Sequence, residues 1–467
     1  MRKFKEPTAS RNQLILMPQS LDEMVGADEP VRLLSEVMDR LDYRRLEASY
    51  PGGGCPAYPP GMLAKILVFA YSQGMRSSRR IAESVRVDLR YVWLAEGLKP
   101  DFRTLARFRR EKGEYLGELF EQSVRLCAQA GLVLLKYVAI DGTKVESCSG
   151  RAALWTAKRI EQEKAAVRRI LEEAEQVDEA EDSEFGEYDG TTLPEELKDA
   201  QARKKLIDEA EKRLKESGRK AVSLTDPDAR QMKTRAGVRM SYNLQAAVDK
   251  ENQVVVGMQV VQDETDRAQL EGMLAEIHTN TGRKPEMVAA DKGYYSPASL
   301  KVLSENAQAG VIAVPKQSIR TTPAGYRLEE FEYDETRDVY ICPAGKQLTF
   351  RRMDKKGKTI YRRYECSQCS GCDRRVACGA LTRSKRLNVN EVNHLRQKME
   401  AFLATEEGRA QLALRKQVVE PVFGQIKENR CLRRFRLRGL AGALVESSLV
   451  FLAHNLFKAA VKLPILA

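Results

Sequence analysis

Five short apolar runs, spaced by helical stretches and one highly charged interruption, constrain the fold of this chain more than any other feature. They are YVAI at 137–140, YNLQAAV at 242–248, VVVGMQVV at 254–261, MVAA at 287–290 and GVIAVP at 310–315. Runs of this length bounded by turn residues read as strands of a buried sheet. The second and third are close enough to form a hairpin, which with the first makes an antiparallel trio. A helix is expected over 266–278, capped by Asp266, and another after Ser296 and Pro297. Three antiparallel strands followed by alternating helix and strand give a mixed five-stranded sheet with helices, between the α+β and α/β classes.

Two of these runs end in aspartate. Asp141 follows the first, in KYVAIDGTKVES, and Asp291 follows the fourth, in EMVAADKGYYS. Both are expected at the carboxyl ends of strands, where open sheets place their chemistry. A third acid, Glu420, lies in the helical stretch RKQVVEPVFGQIKENR, with Lys427 seven residues on along the same face. Singly, each has a plain structural reading, because Asp-Gly is a common turn pair and an aspartate after a strand often caps the next element. Together they form an oxygen-only, trianionic set that suits Mg²⁺ or Mn²⁺ better than zinc. Such sets usually hold two ions for in-line phosphodiester displacement.

The charge balance points to a polyanionic partner. The 467 residues carry a net charge of +12 and are 43% hydrophobic, enough for two or three domains with real cores. Residues 151–220 hold 15 basic and 19 acidic side chains, so the positive excess belongs to the rest of the chain. That segment reads as a helical hairpin laced by i,i+4 pairs and turning at EYDGTTLPEE, 187–196. The opening MRKFKEPTASRNQ has no apolar signal core. The apolar stretch 443–463 is interrupted by Glu446, His454, Asn455, Lys458 and Lys462, which favours a buried helix over a membrane span.

Residues 1–133 read as helical, with Ser20 and Glu23 as a capping box and Gly74 ending an apolar helix. DFRTLARFRR at 101–110 follows a helix and a short turn, and its Arg103, Arg107, Arg109 and Arg110 fit either a DNA-binding helix or a solvated face. Beyond Glu420, a basic stripe of Lys427, Arg430, Arg433, Arg434, Arg436 and Arg438 offers phosphate contacts, with Arg415 and Lys416 just ahead of the acid.

Five of the nine cysteines crowd into 342–378, as Cys342, Cys366, Cys369, Cys372 and Cys378, spaced C-x23-C-x2-C-x2-C-x5-C. A two-residue gap lets paired thiolates reach one tetrahedral ion, so four of the five are expected to hold a structural Zn²⁺. A [4Fe–4S] cluster is the competing reading. Either suits a reducing cytosol better than a disulfide framework does.

With these motifs on the page, the chain resembles a DDE insertion-sequence transposase, of the insertion-sequence 1182-like group whose third acid lies in a Y-(2)-R-(3)-E-(6)-K signature. Glu420 and Lys427 match its second half, whereas Lys416 stands at the arginine position and Ala413 at the tyrosine position, with Arg415 beside them. The resemblance implies an RNase H-like catalytic domain in two parts, 134–150 with 221–320, completed by carboxyl-terminal helices over 406–467. It implies a helix-turn-helix-like DNA-binding domain over 1–133, a helical insertion at 151–220 and a basic, cysteine-rich insertion at 321–405. By the same resemblance Asp141, Asp291 and Glu420 hold two Mg²⁺ or Mn²⁺ ions, and the partners are double-stranded terminal inverted repeats and target DNA. A cytoplasmic, nucleoid-associated bacterial homodimer on paired ends follows by analogy, with no membrane role. A catalytically silent DNA-binding derivative and an RNase H-like nuclease without strand transfer are the alternatives.

Overall fold

Small and β-branched residues at 137–140, 242–248 and 287–290 let these runs pack closely enough to form the centre of one sheet. The computed structural model describes residues 20–50, 56–150, 154–185, 195–315 and, with short interruptions, 325–462. The opening MRKFKEPTASRNQ and residues 187–194 of the expected turn lie outside the described residues. β1 (Tyr137–Glu146) continues past the apolar run. Beside it, β2 (Leu154–Thr156) and β3 (Ala221–Ser223) form a small ribbon at the base of a helical hairpin, α9 (Ala157–Phe185) and α10 (Glu195–Ser217). β4 (Arg230–Thr234) and β6 (Val255–Val261) both pair antiparallel with the long β5 (Gly237–Asp249), which pairs antiparallel with β1. β1 then pairs parallel with β7 (Met287–Ala290), and β7 parallel with β8 (Gly310–Ile312). The crossovers carry α11 (Gln269–Thr281) and α12 (Pro297–Glu305), whose N-cap is Ser296. The antiparallel trio and the two added parallel strands are therefore as expected, with β4 as a sixth strand.

Ahead of the sheet come α1 (Leu21–Met24), α2 (Pro30–Asp39), α3 (Arg44–Ala48), α4 (Pro60–Ser72), α5 (Ser78–Val87), α6 (Leu89–Leu94), α7 (Phe102–Glu111) and α8 (Gly113–Gln129). Ser20 and Glu23 do make the capping box of α1. Gly74 closes α4 at φ 71°, and a Cβ there would stand 2.9 Å from the Asn429 carbonyl oxygen, so both the backbone conformation and the close approach require glycine. After β8, a second, wholly antiparallel sheet runs in the order β13 (Lys385–Asn390), β12 (Thr359–Cys366), β11 (Gln347–Lys356), β10 (Val339–Ile341), β9 (Glu332–Asp334), with the one-turn helix α13 (Arg375–Cys378) beside it. Three helices close the chain: α14 (Asn393–Ala404), α15 (Glu406–Glu428) and α16 (Gly439–Lys462).

One continuous apolar core joins the amino-terminal helices, the first sheet and α15 and α16, while the antiparallel sheet and the α9–α10 hairpin have small clusters of their own. α16 is long and apolar enough to cross a membrane by length and composition, yet it packs against α4, α8 and β6 within that core. Its polar residues are matched to the strand they meet. Asn455, fully buried, accepts from the Val255 N–H and donates to the Val255 carbonyl, both at 2.9 Å, reproducing the bonds of a neighbouring strand.

His454 beside it contacts the Gln253 carbonyl oxygen at 2.8 Å, and burial, reinforced by Arg430, pushes its pKa down to about 3. Because an unfolded imidazole titrates near ~6.5, the unfolded chain holds the extra proton between the two values. The stability contributed by neutral His454 is therefore complete above about 6.5 and lost as pH falls towards 3. Urea midpoints measured from pH 7 to pH 4 should fall less steeply for His454→Gln than for the parent. Parallel slopes would show that His454 does not titrate out of step with the unfolded chain.

Candidate active site

The parallel register places two acids side by side. Pairing between β1 and β7 ends at Ile140 opposite Ala290, so the next residue on each strand is an aspartate, Asp141 and Asp291. β1 does not end there. It continues to Glu146 against β5, with Asp141 opposite Ala246. Asp141 is thus at the end of the parallel pairing and not at the end of its strand, a correction to the expectation from the apolar run alone. Asp291 does end its strand and caps the next turn, its Oδ1 accepting from the Gly293 N–H at 2.7 Å.

α15 crosses this edge and supplies cations. Arg415, 7% exposed, donates from Nη1 to Asp141 Oδ2 at 2.8 Å, and the Gly142 N–H donates to Oδ1 at 2.8 Å. Burial still raises the pKa of Asp141, with Asp291 pushing the same way against Arg415. A carboxylate so crowded favours any added positive charge. Lys427 donates to the Thr143 hydroxyl two residues along β1, and burial lowers its pKa. Pro421 lies inside α15 without ending it. The Gln417 carbonyl left without that N–H accepts from Gln253 Nε2 at 3.4 Å.

Glu420 stands apart from this pair. It is exposed on α15, and among the described residues no three His, Cys, Asp or Glu side chains are arranged to hold a metal ion. Lys416, at the signature's arginine position, is also exposed, while its neighbour Arg415 faces the strands.

Asp266 is the residue that sequence reasoning misplaced. α11 begins at Gln269 with Ala268 as its N-cap, so Asp266 does not cap it. Its Oδ1 instead accepts from Asn243 Nδ2 at 2.6 Å, Gln245 Nε2 at 2.8 Å and Lys144 Nζ at 3.4 Å. The available signal was the alternation of Asn243 and Gln245 in an otherwise apolar strand, two buried amides that require polar partners.

The basic stripe starts against this site. The Glu146 N–H donates to the Arg433 carbonyl at 3.1 Å and the Phe435 N–H to the Glu146 carbonyl at 2.8 Å, so the segment pairs with the end of β1. Arg433 pairs with Glu428 and Arg434 with Glu146, and these arginines, with Arg436 and Arg438, are exposed. Arg430 is 9% exposed, with its Nε unpartnered. On α7, Arg103, Arg107 and Arg110 share an exposed face, whereas Arg109 is 4% exposed and donates to the Tyr71 hydroxyl, the Arg76 carbonyl and Ser78.

Cys342, Cys366, Cys369, Cys372 and Cys378 all line one cavity of about 20 Å³, and all are free thiols. The Lys346 and Lys385 N–H groups donate to Cys342 Sγ and Cys369 Sγ, both at 3.3 Å. Burial pushes the Cys366 thiol up to about 11 and raises that of Cys378.

Comparison with protein families places these features in a class. A transposase domain (DUF772) matches residues 19–111, across the amino-terminal helices, so the class it names is the transposases. A transposase DDE domain matches residues 341–460, from the cysteine-lined sheet through Glu420 and the basic stripe into α16. The two matches support a DDE transposase, a family that implies metal-dependent action on DNA; Asp141 and Asp291 lie outside both. No curated protein matches the chain.

The residues around the paired aspartates fit a hard cation. The donors are oxygen, the buried Asn243 Oδ1 has no hydrogen-bond partner, and two glycines hold open space that a Cβ would fill.

Proposed function

We propose that this protein cuts DNA at the ends of a mobile element and joins them to target DNA, using Asp141 and Asp291 as the centre of its active site. The observation that carries this reading is the register of β1 and β7, which sets the two acids next to each other beside Arg415 and Lys427. Magnesium or manganese bound there supplies an activated water and neutralises charge on the leaving 3′ oxygen. Arg415 holds the Asp141 carboxylate in place, and Lys427, weakly bound to a hydroxyl, is free to take a phosphate oxygen. Glu420 completes the acid set when DNA draws α15 and the stripe against the strands, since it shares the face of Lys427. Arg433, Arg434, Arg436 and Arg438 then follow the backbone of the duplex, and Arg103, Arg107 and Arg110 face the terminal repeat. The sheet and its crossovers read as an RNase H-like domain of the insertion-sequence 1182-like group, acting as a dimer on paired ends.

A labelled terminal-repeat duplex incubated with Mg²⁺ and target plasmid tests this directly. Cleaved and joined product is the expected result; cleavage alone would make the protein a nuclease, and binding alone a silent derivative.

The cysteine-lined cavity carries the zinc reading. Four of its five sulfurs are to close on one Zn²⁺ at about 2.3 Å, and amide N–H groups directed at Cys342 and Cys369 would stabilise the thiolates. Elemental analysis should find about one zinc per chain, with loss on Cys369→Ser. Iron with acid-labile sulfide would instead identify a cluster.

A further inference from the structure

Asp266 closes a polar layer against the two catalytic aspartates. Its Oδ1 is occupied by Asn243, Gln245 and Lys144, while its Oδ2 faces Asp291. The point where a Cβ on Gly293 would stand is 3.1 Å from Asp266 Oδ2 and 2.8 Å from Asp291 Oδ1. Only a glycine leaves that gap between two carboxylates. Gly142 opens a second one, since its Cβ would lie 2.6 Å from Asp266 Oδ1 and 3.0 Å from Asn243 Oδ1.

Two further observations point to a cation in this space. Asn243 is fully buried, and its Oδ1, directed at the opening left by Gly142, has no hydrogen-bond partner. An orphaned buried acceptor costs about 1–3 kcal/mol, so it calls for a ligand that the fold does not itself supply. Lys144 is the nearest positive charge, and its ammonium interacts with Asp266, Asp141 and Asp291 together. The protein's own cation therefore stands where three carboxylates meet.

We propose that Asp266 is a metal-binding carboxylate of the active site, sharing one divalent, oxygen-preferring cation with Asp291, with Asn243 Oδ1 facing the same space and the Lys144 ammonium filling it in the metal-free protein. This rests on the reading of Asp141 and Asp291 as the catalytic pair and adds a ligand that lies outside the three-acid signature. It also explains why two acids can gather an ion while Glu420 is still exposed. Asp266 follows β6 and precedes α11, so its position is set by the sheet and not by the movable end of α15.

The test is Mn²⁺ binding to the full-length protein, read from the electron paramagnetic resonance signal of free Mn²⁺, with thermal melts on the same samples. Asp266→Asn keeps an oxygen for Asn243 and Gln245 and removes the charge. Gly293→Ala fills the gap without straining the backbone, because Gly293 is not among the positive-φ glycines. Each should weaken the tighter Mn²⁺ site by at least about tenfold, the lower range for losing even an outer partner of a metal. Glu264→Gln, an exposed acid on the same segment, should change nothing. Should Asp266→Asn fail to fold, Gly293→Ala decides alone. Affinity within twofold of the parent in the folded variants, with Asp291→Asn losing the ion, would overturn the role of Asp266 and leave the catalytic pair in place. A parent protein that binds no Mn²⁺ would overturn both.

Discussion

Asp291→Asn should abolish strand cleavage while leaving duplex binding intact. The substitution preserves shape and the cap on the Gly293 N–H, so the turn after β7 survives. What is lost is negative charge next to Asp141, where the metal must be held. Metal stabilisation of the transition state contributes several kcal/mol, and about 1.4 kcal/mol is a factor of ten, so a fall of roughly a thousandfold or more is expected. Asp141→Asn should match it, with the further consequence that Arg415 faces a neutral partner. Gel-shift affinity and single-turnover cleavage on one labelled duplex separate the two effects. Cleavage by Asp291→Asn within tenfold of the parent would move the active site elsewhere.

The largest stability effect is expected at Arg76. It is 6% exposed and paired with Glu446, which is 0% exposed, at 2.9 Å. The same guanidinium donates to the carbonyls of Arg434 and Cys431, while Glu446 also accepts from the N–H groups of Arg436 and Leu437. Arg76→Ala leaves a buried carboxylate and two carbonyls without their cation, a change that costs about 3–5 kcal/mol. Urea unfolding followed by circular dichroism measures it. A loss under about 1 kcal/mol, the range of an exposed pair, would mean that water reaches the site.

How legible the chain was depends on how local each determinant is. The strand runs, the capping box and the helix after Ser296 rest on neighbouring residues, and they appear where sequence places them. The extension of β1 to Glu146 does not, because DGTKVE is polar and becomes a strand only through β5 alongside it. Asp266 failed for a related reason. An acid before a helical run looks like a cap, and the amides that claim it sit 23 and 21 residues earlier in sequence. Arg415 and Arg109 were read simply as part of basic stretches, yet helix phase turns each inward, to Asp141 in one case and to Tyr71 in the other. Five cysteines were expected to meet, and all five line one cavity, because close spacing on a turn is a local property.

The single core running from the amino-terminal helices through the sheet to α16 bears on how such a gene can decay. A frameshift that removed α16 would strip the cover from α4, α8 and β6, and one that removed the first hundred residues would strip α16 in turn. Neither remnant keeps a closed interior, so a broken copy would yield a product for proteolysis and not a fragment that occupies the ends of intact relatives. Interference between copies would then have to come from full-length chains carrying point changes, such as a lost aspartate on an otherwise sound scaffold.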